Sequence, residues 1–533
     1  MKTIQVLDCT LRDGGCVNNF NFGSEYMEKI LHSIEAAGME MIECGYIDEA
    51  KGSATERTQY SCEEDIKNNF VTKKKPGTAY LAMIDYGKYD VTKLPQKTDA
   101  DIDGIRLAFH KKDRHNIISW GKTIIEKGYK LFIQPMTVMR YSDQELLELI
   151  EEVNTELPDA YAFYIVDSFG EMRSNDMIRV LNLVDHNLLP KMHLGFHSHN
   201  NLQLSYSNAI SFIDFHTERE LIVDASIMGM GKGAGNLNTE LFAEHLNLYF
   251  GKNYQIQPLL EVIDTVINQL HSEFYWGYSV EYYLSSINHC TPSYAGHFFK
   301  KHMLSIDQVA ELLAMLPEEK KISFDKDFAD QLYVQYNENK QQDDGVVIER
   351  LKKQFSGKKI LLIAPGKHLT DADAAIKEML KDESVISVAL NNDKAYLTDL
   401  VLATKQERFE KAVGRGKHVI VTSNVQRNVE EQFEGQIQIL NYKEWTKTES
   451  GVNDSAIVIM FNILKAVGAK EIYLAGFDGF SSNINENYMD KNLRRPVTEE
   501  QAKERNRFIK DFLGRVRKEM NLHFLTESKY EQE

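Results

Sequence analysis

This chain is poor in the residues that would place it in several common classes. It has five cysteines in 533 residues, Cys9, Cys16, Cys44, Cys62 and Cys290, and no Cys-x-x-Cys pair. That argues against a zinc ribbon or a disulfide framework and fits a reducing compartment. Prolines number 10 and no low-complexity tract occurs, so long disordered segments are not expected. No apolar run approaches the length of a membrane span. The opening Met1-Lys-Thr-Ile-Gln-Val-Leu-Asp-Cys-Thr turns polar too soon for a secretory signal. A cytoplasmic protein without membrane insertion is expected. Basic residues are outnumbered, 62 Lys+Arg against 79 Asp+Glu, for a net charge of -17. Nucleic acid, which demands a basic surface, is therefore excluded as a partner. Small anionic metabolites are not, because local charge can oppose net charge.

What is present is ample apolar material. Hydrophobic residues make up 43% of the chain, and the length calls for two or three domains. Over residues 1–250, short apolar segments alternate with amphipathic helical patterns. Strands are expected at Ile4–Thr10, Met39–Tyr46, Thr78–Ile84, Gly104–Phe109, Lys130–Thr137, Ala160–Asp167, His193–His197 and Leu221–Ile227. Eight strands with intervening helices fit a (β/α)8 TIM barrel, with a doubly wound open sheet as the alternative. Polar residues favour the barrel. Asp13, Glu43, Asp85, Asp167, His197, His199 and Asp224 all fall near C-terminal strand ends, which a barrel gathers on one face. Residues 251–340 read as a helical appendage rich in aromatics, including Phe274, Tyr275, Trp276, Tyr278, Tyr282 and Tyr283. These point to core or interface, and a homodimer is expected from them. Residues 341–357 read as a polar linker. From 358 to 533 a Rossmann-like α/β domain is expected, with strands at Lys359–Ala364, Val385–Asn391, His418–Thr422, Gln436–Leu440 and Glu471–Ala475.

Chemistry is concentrated in two distant segments. Leu11-Arg12-Asp13-Gly14-Gly15 ends the first strand, and Gly195-Phe-His-Ser-His-Asn200 ends the seventh. Residues two apart on a strand share a face, so His197 and His199 point the same way. Two imidazoles and the Asp13 carboxylate can hold a divalent cation with positions left open. Mn²⁺ or Mg²⁺ suits this mixed donor set; Zn²⁺ and Co²⁺ also fit. Such a metal would chelate a 2-oxo acid and stabilise its enolate, with the Arg12 guanidinium against the same oxyanion. Gly229-Met-Gly-Lys-Gly-Ala-Gly-Asn236 follows the last barrel strand. Gly231 and Gly233 there permit close approach of an anionic substrate group or make a tight turn, and Asn236 is a further ligand or neighbour of the metal. Cys16, three residues after Asp13, is a candidate for proton transfer or a small buried hydrophobe.

Four segments together resemble the DRE-type metal-dependent lyase superfamily: Asp8–Gly14, Ile42-Glu-Cys-Gly45, Gly195–Asn200 and Asp224–Asn236. That superfamily includes 4-hydroxy-2-oxovalerate aldolases, 3-hydroxy-3-methylglutaryl-CoA lyases, and the isopropylmalate and homocitrate synthases. The resemblance implies a TIM barrel, Asp13, His197 and His199 on the metal, Arg12 beside the enolate, and Glu43 and Ser168 near the substrate. The hydroxy-oxovalerate aldolases are the most similar branch, which implies a 2-oxo acid and an aldehyde as reactants and a partner dehydrogenase. This chain departs from them at Cys16, where those aldolases carry a histidine base. It departs from the acyl-CoA-dependent Claisen synthases at Gly15 and Cys16, and that activity is the alternative. Asn391-Asn392-Asp393 and Gly476-Phe-Asp-Gly479 resemble bacterial Rossmann-like glycosyltransferase or pyrophosphokinase-related domains. That implies transfer chemistry in surface-sugar biosynthesis, against a purely assembling role for the second domain.

Overall fold

The computed structural model describes residues 3–531 except 53–54, 70, 72–73, 302–303, 338–343, 393–395, 426–436, 450 and 491–496. Asp393, Gln436 and residues 341–343 of the expected linker lie outside the described residues. The chain divides into two compact units, Met1–Ala295 with Pro317–Ser323, and Gly296–Leu316 with Phe324–Glu533. The segment 251–340, expected as one appendage, is thus shared between the units.

In the first unit all eight expected strands form, with ends within two residues of expectation. They are β1 (Ile4–Asp8), β2 (Met41–Ile47), β4 (Ala79–Asp85), β5 (Gly104–Phe109), β6 (Lys130–Pro135), β7 (Ala162–Asp167), β8 (His193–Ser198) and β9 (Leu221–Ala225); a two-residue strand β3 (Gln59–Tyr60) flanks β2. Every pairing is parallel, and β1 pairs with both β9 and β2, which closes the barrel and excludes an open sheet here.

Period two sorts the side chains between the barrel lumen and the surrounding helices. Leu7, Met41, Leu81, Phe132, Tyr164 and Ile222 fill the inside. Their neighbours Val6, Ile42, Ala82, Ile133, Ile165 and Val223 pack outward beneath helices such as Ser24–Ala37 and Asp143–Glu156. Glycines make room for the large rings. A Cβ on Gly195 would lie 2.3 Å from the Tyr164 ring. Gly195→Ala is therefore expected to lower stability by about 1–3 kcal/mol through overpacking, measurable by urea denaturation.

After the barrel, helices Gln257–Val262, Asn268–Glu273 and Val280–Ile287 remain within this unit. The first packs on helix Ser24–Ala37, where Ser33 Oγ donates to Pro258 O, and the segment after it reaches the C-terminal face. The Trp276 indole donates to Met228 O at 2.9 Å, and Ser286 Oγ donates to Phe169 O at 2.6 Å. Trp276 is buried, whereas Tyr275, Tyr278 and Tyr283 are exposed.

The second unit holds an open sheet of seven parallel strands, ordered β14-β13-β12-β11-β10-β17-β18. These are β10 (Lys359–Ile363), β11 (Val385–Leu390), β12 (Leu400–Ala403), β13 (Val419–Thr422), β14 (Ile437–Leu440), β17 (Glu471–Ala475) and β18 (Asn521–Phe524); β15 (Lys447–Thr448) and β16 (Gly451–Val452) form a short antiparallel pair. Consecutive buried residues along β10 to β13 show that both faces are covered. Two strands escaped the sequence reading. β12 is only four residues long, and β18 is an edge strand, Asn-Leu-His-Phe, with alternate residues exposed. The linker expected over 341–357 is also corrected. Asp344–Phe355 is a helix that buries Leu351 and Phe355, an apolar pair four residues apart that the flanking charges obscured.

Candidate metal centre

Asp13, His197 and His199 meet at the C-terminal mouth of the barrel. One ligand atom from each lies within 4.8 Å of the others. The two histidines share a face of β8 and its extension, with ring centroids 5.2 Å apart and planes at 87°. Each imidazole is oriented through Nδ1, leaving Nε2 for a metal. His197 Nδ1 pairs with Asp224 Oδ2 at 2.8 Å, and His199 Nδ1 lies 3.2 Å from Lys232 O. Burial, with His197 and Lys232 nearby, outweighs Asp13 and lowers His199 to about 4, so the ring is neutral at pH 7. Burial opposes ionisation of Asp13, but Arg12, His199 and His197 more than offset it and hold the carboxyl well below its usual range.

Beneath the triad runs a buried ionic chain. Arg12 donates to Asp13 Oδ1 at 2.6 Å and to Glu43 Oε2 at 2.7 Å. Arg106 donates to Glu43 Oε2 at 2.7 Å and also to Asp224 Oδ2. Two guanidiniums thus face three carboxylates, a local excess of one negative charge that suits a cation. Buried acceptors Glu43 Oε1, Asp224 Oδ1 and Asn236 Oδ1 have no protein partner. Two imidazoles and a carboxylate, with the orphaned Asn236 oxygen beside them, together fit a divalent ion.

Several expected roles shift on inspection. Glu43 is fully buried below Arg12, so it positions that guanidinium and cannot touch substrate. Asn236 adjoins His199 through a β-bridge and donates from Nδ2 to Asp13 Oδ2 at 2.8 Å. Gly231 is needed because a Cβ would lie 2.6 Å from Asp13 Oδ2. Two neighbouring N–H groups are bonded to side chains of the protein. Lys232 N donates to Asp13 Oδ2 at 3.3 Å and Ala234 N to Asn201 Oδ1 at 2.9 Å. Gly233, at φ 72°, packs on the same Asn201 oxygen. The loop from Gly229 to Asn236 thus packs directly on Asp13 and Asn201. Ser168 Oγ accepts from Thr137 N at 2.9 Å. Cys16 is exposed, but the mouth around its sulfur and the Asp13 carboxylate push the thiol up to about 12.

The sequence reading missed Arg106 and Tyr46. Arg106 was visible as a lone charge within Gly-Ile-Arg-Leu-Ala-Phe, a strand otherwise apolar throughout. Tyr46 depends on a bulge. Glu43 pairs with Leu81, but Tyr46 pairs with Met83, so β2 carries one extra residue. Leu81, Met83 and Asp85 share the lumenal side, and the bulge brings Tyr46 onto it. There Tyr46 lies beside the Asp85 carboxyl. Burial, then the Asp85 carboxylate, push the Tyr46 phenol far up. Burial raises the Asp85 carboxyl even though the Tyr46 hydroxyl pulls it down.

Residues 3–266 match the HMGL-like family model. This half of the chain is an HMGL-like domain. A 4-hydroxy-2-oxovalerate aldolase from Geobacillus genomosp. 3 is 28% identical over 250 residues, covering 46% of this chain and 71% of that protein. 4-Hydroxy-2-oxovalerate aldolase 1 from Methylibium petroleiphilum is 26% identical over 297 residues, covering 53% and 82%. Among solved structures, the N-terminal domain of a proposed aldolase from Bacteroides vulgatus is 25% identical with a TM-score of 0.50, covering 58% of this chain and 99% of that one. The HMGL-like domain is thus of aldolase and lyase type.

Proposed function

We propose that the HMGL-like domain is a divalent-metal-dependent aldolase that cleaves a 4-hydroxy-2-oxo acid into an aldehyde and the enolate of a smaller 2-oxo acid. The observation that carries this is the convergence of Asp13, His197 and His199 at the barrel mouth, beside the buried, paired guanidinium of Arg12. A metal there, Mn²⁺ or Mg²⁺ by its donors, would act as Lewis acid on the oxo acid. Arg12, fixed by Glu43, offers N–H donors to the enolate oxygen as charge develops. Tyr46 and Asp85 serve as the proton relay in place of the missing histidine. The substrate's C4 hydroxyl proton passes to the Tyr46 oxygen while the Tyr46 proton passes to Asp85. The C3–C4 electron pair then becomes the enolate, C4 leaves as the aldehyde, and the proton returns to C3 through Tyr46.

The deciding experiment is deuterium exchange into the methyl group of pyruvate, followed by proton NMR after chelator quench. Exchange is expected with Mg²⁺ or Mn²⁺ and is expected to fall at least about 100-fold in Asp13→Ala. No exchange with any of the four candidate metals would sink the proposal. Metal binding also has a physical signature. An ion at one hundred times its Kd should stabilise the fold by about 2.7 kcal/mol, seen as a rise in Tm that His197→Ala abolishes.

A further inference from the structure

The HMGL-like match ends at residue 266, and the second unit has its own candidate site. Its sheet reverses strand order once. From β10 the chain adds β11 to β14 on one side, then β17 and β18 on the other. Connections leaving the C-terminal ends of β10 and β17 therefore run apart and open a crevice, which is where open parallel sheets bind ligands. The motifs at these two ends are Ala364-Pro-Gly-Lys-His368 and Ala475-Gly-Phe-Asp-Gly479. The backbones press together there. Gly366 N donates to Gly476 O at 3.1 Å, and a Cβ on Gly366 would lie 2.4 Å from Asp478 Oδ1.

Asp478 is 8% exposed. Its Oδ2 accepts from the His368 backbone N at 2.8 Å and from His368 Nδ1 at 3.1 Å. Its Oδ1 is buried without a partner. With Nδ1 tied back, the His368 ring, 42% exposed, presents Nε2 outward. Lys367 beside it is exposed. Lys367 supplies a positive charge at the surface here, and the outward imidazole edge a polar contact. Along the same edge, the ends of β11, β12 and β13 carry the buried polar residues Asn392, Thr404 and Ser423; the Thr404 hydroxyl donates to Asn391 Oδ1 and the Ser423 hydroxyl accepts from Tyr442 N.

We propose that this crevice binds a nucleoside phosphate. Lys367 and His368 Nε2 take the phosphate oxygens, and Asp478 is the positioning residue that fixes the imidazole. The test titrates the full chain with ADP, GDP, CDP and UDP, each with Mg²⁺, and with inorganic phosphate alone, by calorimetry and phosphorus NMR. At least one nucleotide should bind about tenfold or more tighter than phosphate, and about tenfold weaker in Lys367→Ala and in His368→Ala. Both substituted residues lie at the surface, and a thermal melt verifies folding. Asp478→Asn should weaken binding and shift the His368 tautomer signals in nitrogen-15 NMR, which a passive structural role would not do. Asp13→Ala should leave nucleotide binding intact. No nucleotide binding, equal affinity for free phosphate, or unchanged binding in both surface variants would overturn the proposal. So would loss of binding in Asp13→Ala, which would place the ligand at the barrel.

Discussion

Arg106→Met should destabilise the barrel by about 3–5 kcal/mol, because it leaves buried carboxylates without their cation. Arg106 is fully buried, lies 4.8 Å over the Tyr164 ring, and joins Glu43 to Asp224. Methionine fills the space but supplies no charge. Arg12 would still face Glu43 and His197 would still face Asp224, which places the expected loss toward the lower end of that range. The pH dependence gives a second check. Burial opposes ionisation of Asp224, but Arg106 and His197 hold its carboxyl below the usual range. That stabilisation is present above the unfolded value and lost as pH falls through the folded one, so the deficit of the variant should shrink as pH falls and grow as pH rises. Urea denaturation of variant and wild type at several pH values measures this. The triple change Arg106→Met, Glu43→Gln, Asp224→Asn should recover much of the loss. Metal affinity should also fall, by about 10- to 100-fold, since His197 depends on an Asp224 that Arg106 holds in place. An Arg106→Met protein as stable as wild type at pH 8 would contradict the ionic chain.

Tyr46→Phe should lower the rate of pyruvate exchange by about 10²- to 10⁴-fold, the usual worth of positioned acid–base catalysis. The Tyr46 hydroxyl lies beside Asp85 on the lumenal side of the barrel, whereas Asp13, His197 and His199 are held by Arg12, Asp224 and Lys232 O. Metal binding and KM for pyruvate should therefore change little while kcat collapses. Asp85→Asn keeps a hydrogen-bond partner but removes the proton acceptor, and should behave alike. Cys16→Ser is the counter-experiment. With its thiol pushed up to about 12, Cys16 carries almost no thiolate at pH 7, and the variant should retain its rate within a few-fold. A collapse in Cys16→Ser with Tyr46→Phe unaffected would transfer the proton-moving role to Cys16.

The barrel was legible because its signals are local and periodic. Short apolar strands alternate with amphipathic helices, and polar residues sit at strand ends. The meeting of Asp13, His197 and His199 was legible for the same reason: His197 and His199 are two apart on one strand, and Asp13 follows another. The second sheet was legible except at β12 and β18, where a four-residue segment and a polar edge strand give no clear period.

The sequence by itself determined which faces strands and helices turn inward, hence the parallel sheets and the gathering of Asp13, His197 and His199 at strand ends. Only the tertiary structure decided what those groups pair with. Arg106, Glu43 and Asp224 are tens of residues apart, and barrel closure alone brings their charges within bonding distance, where burial makes each depend on the others. The bulge at Gly45 and Tyr46 likewise exists only against β4, because a register shift is a property of two strands and is not written in either one.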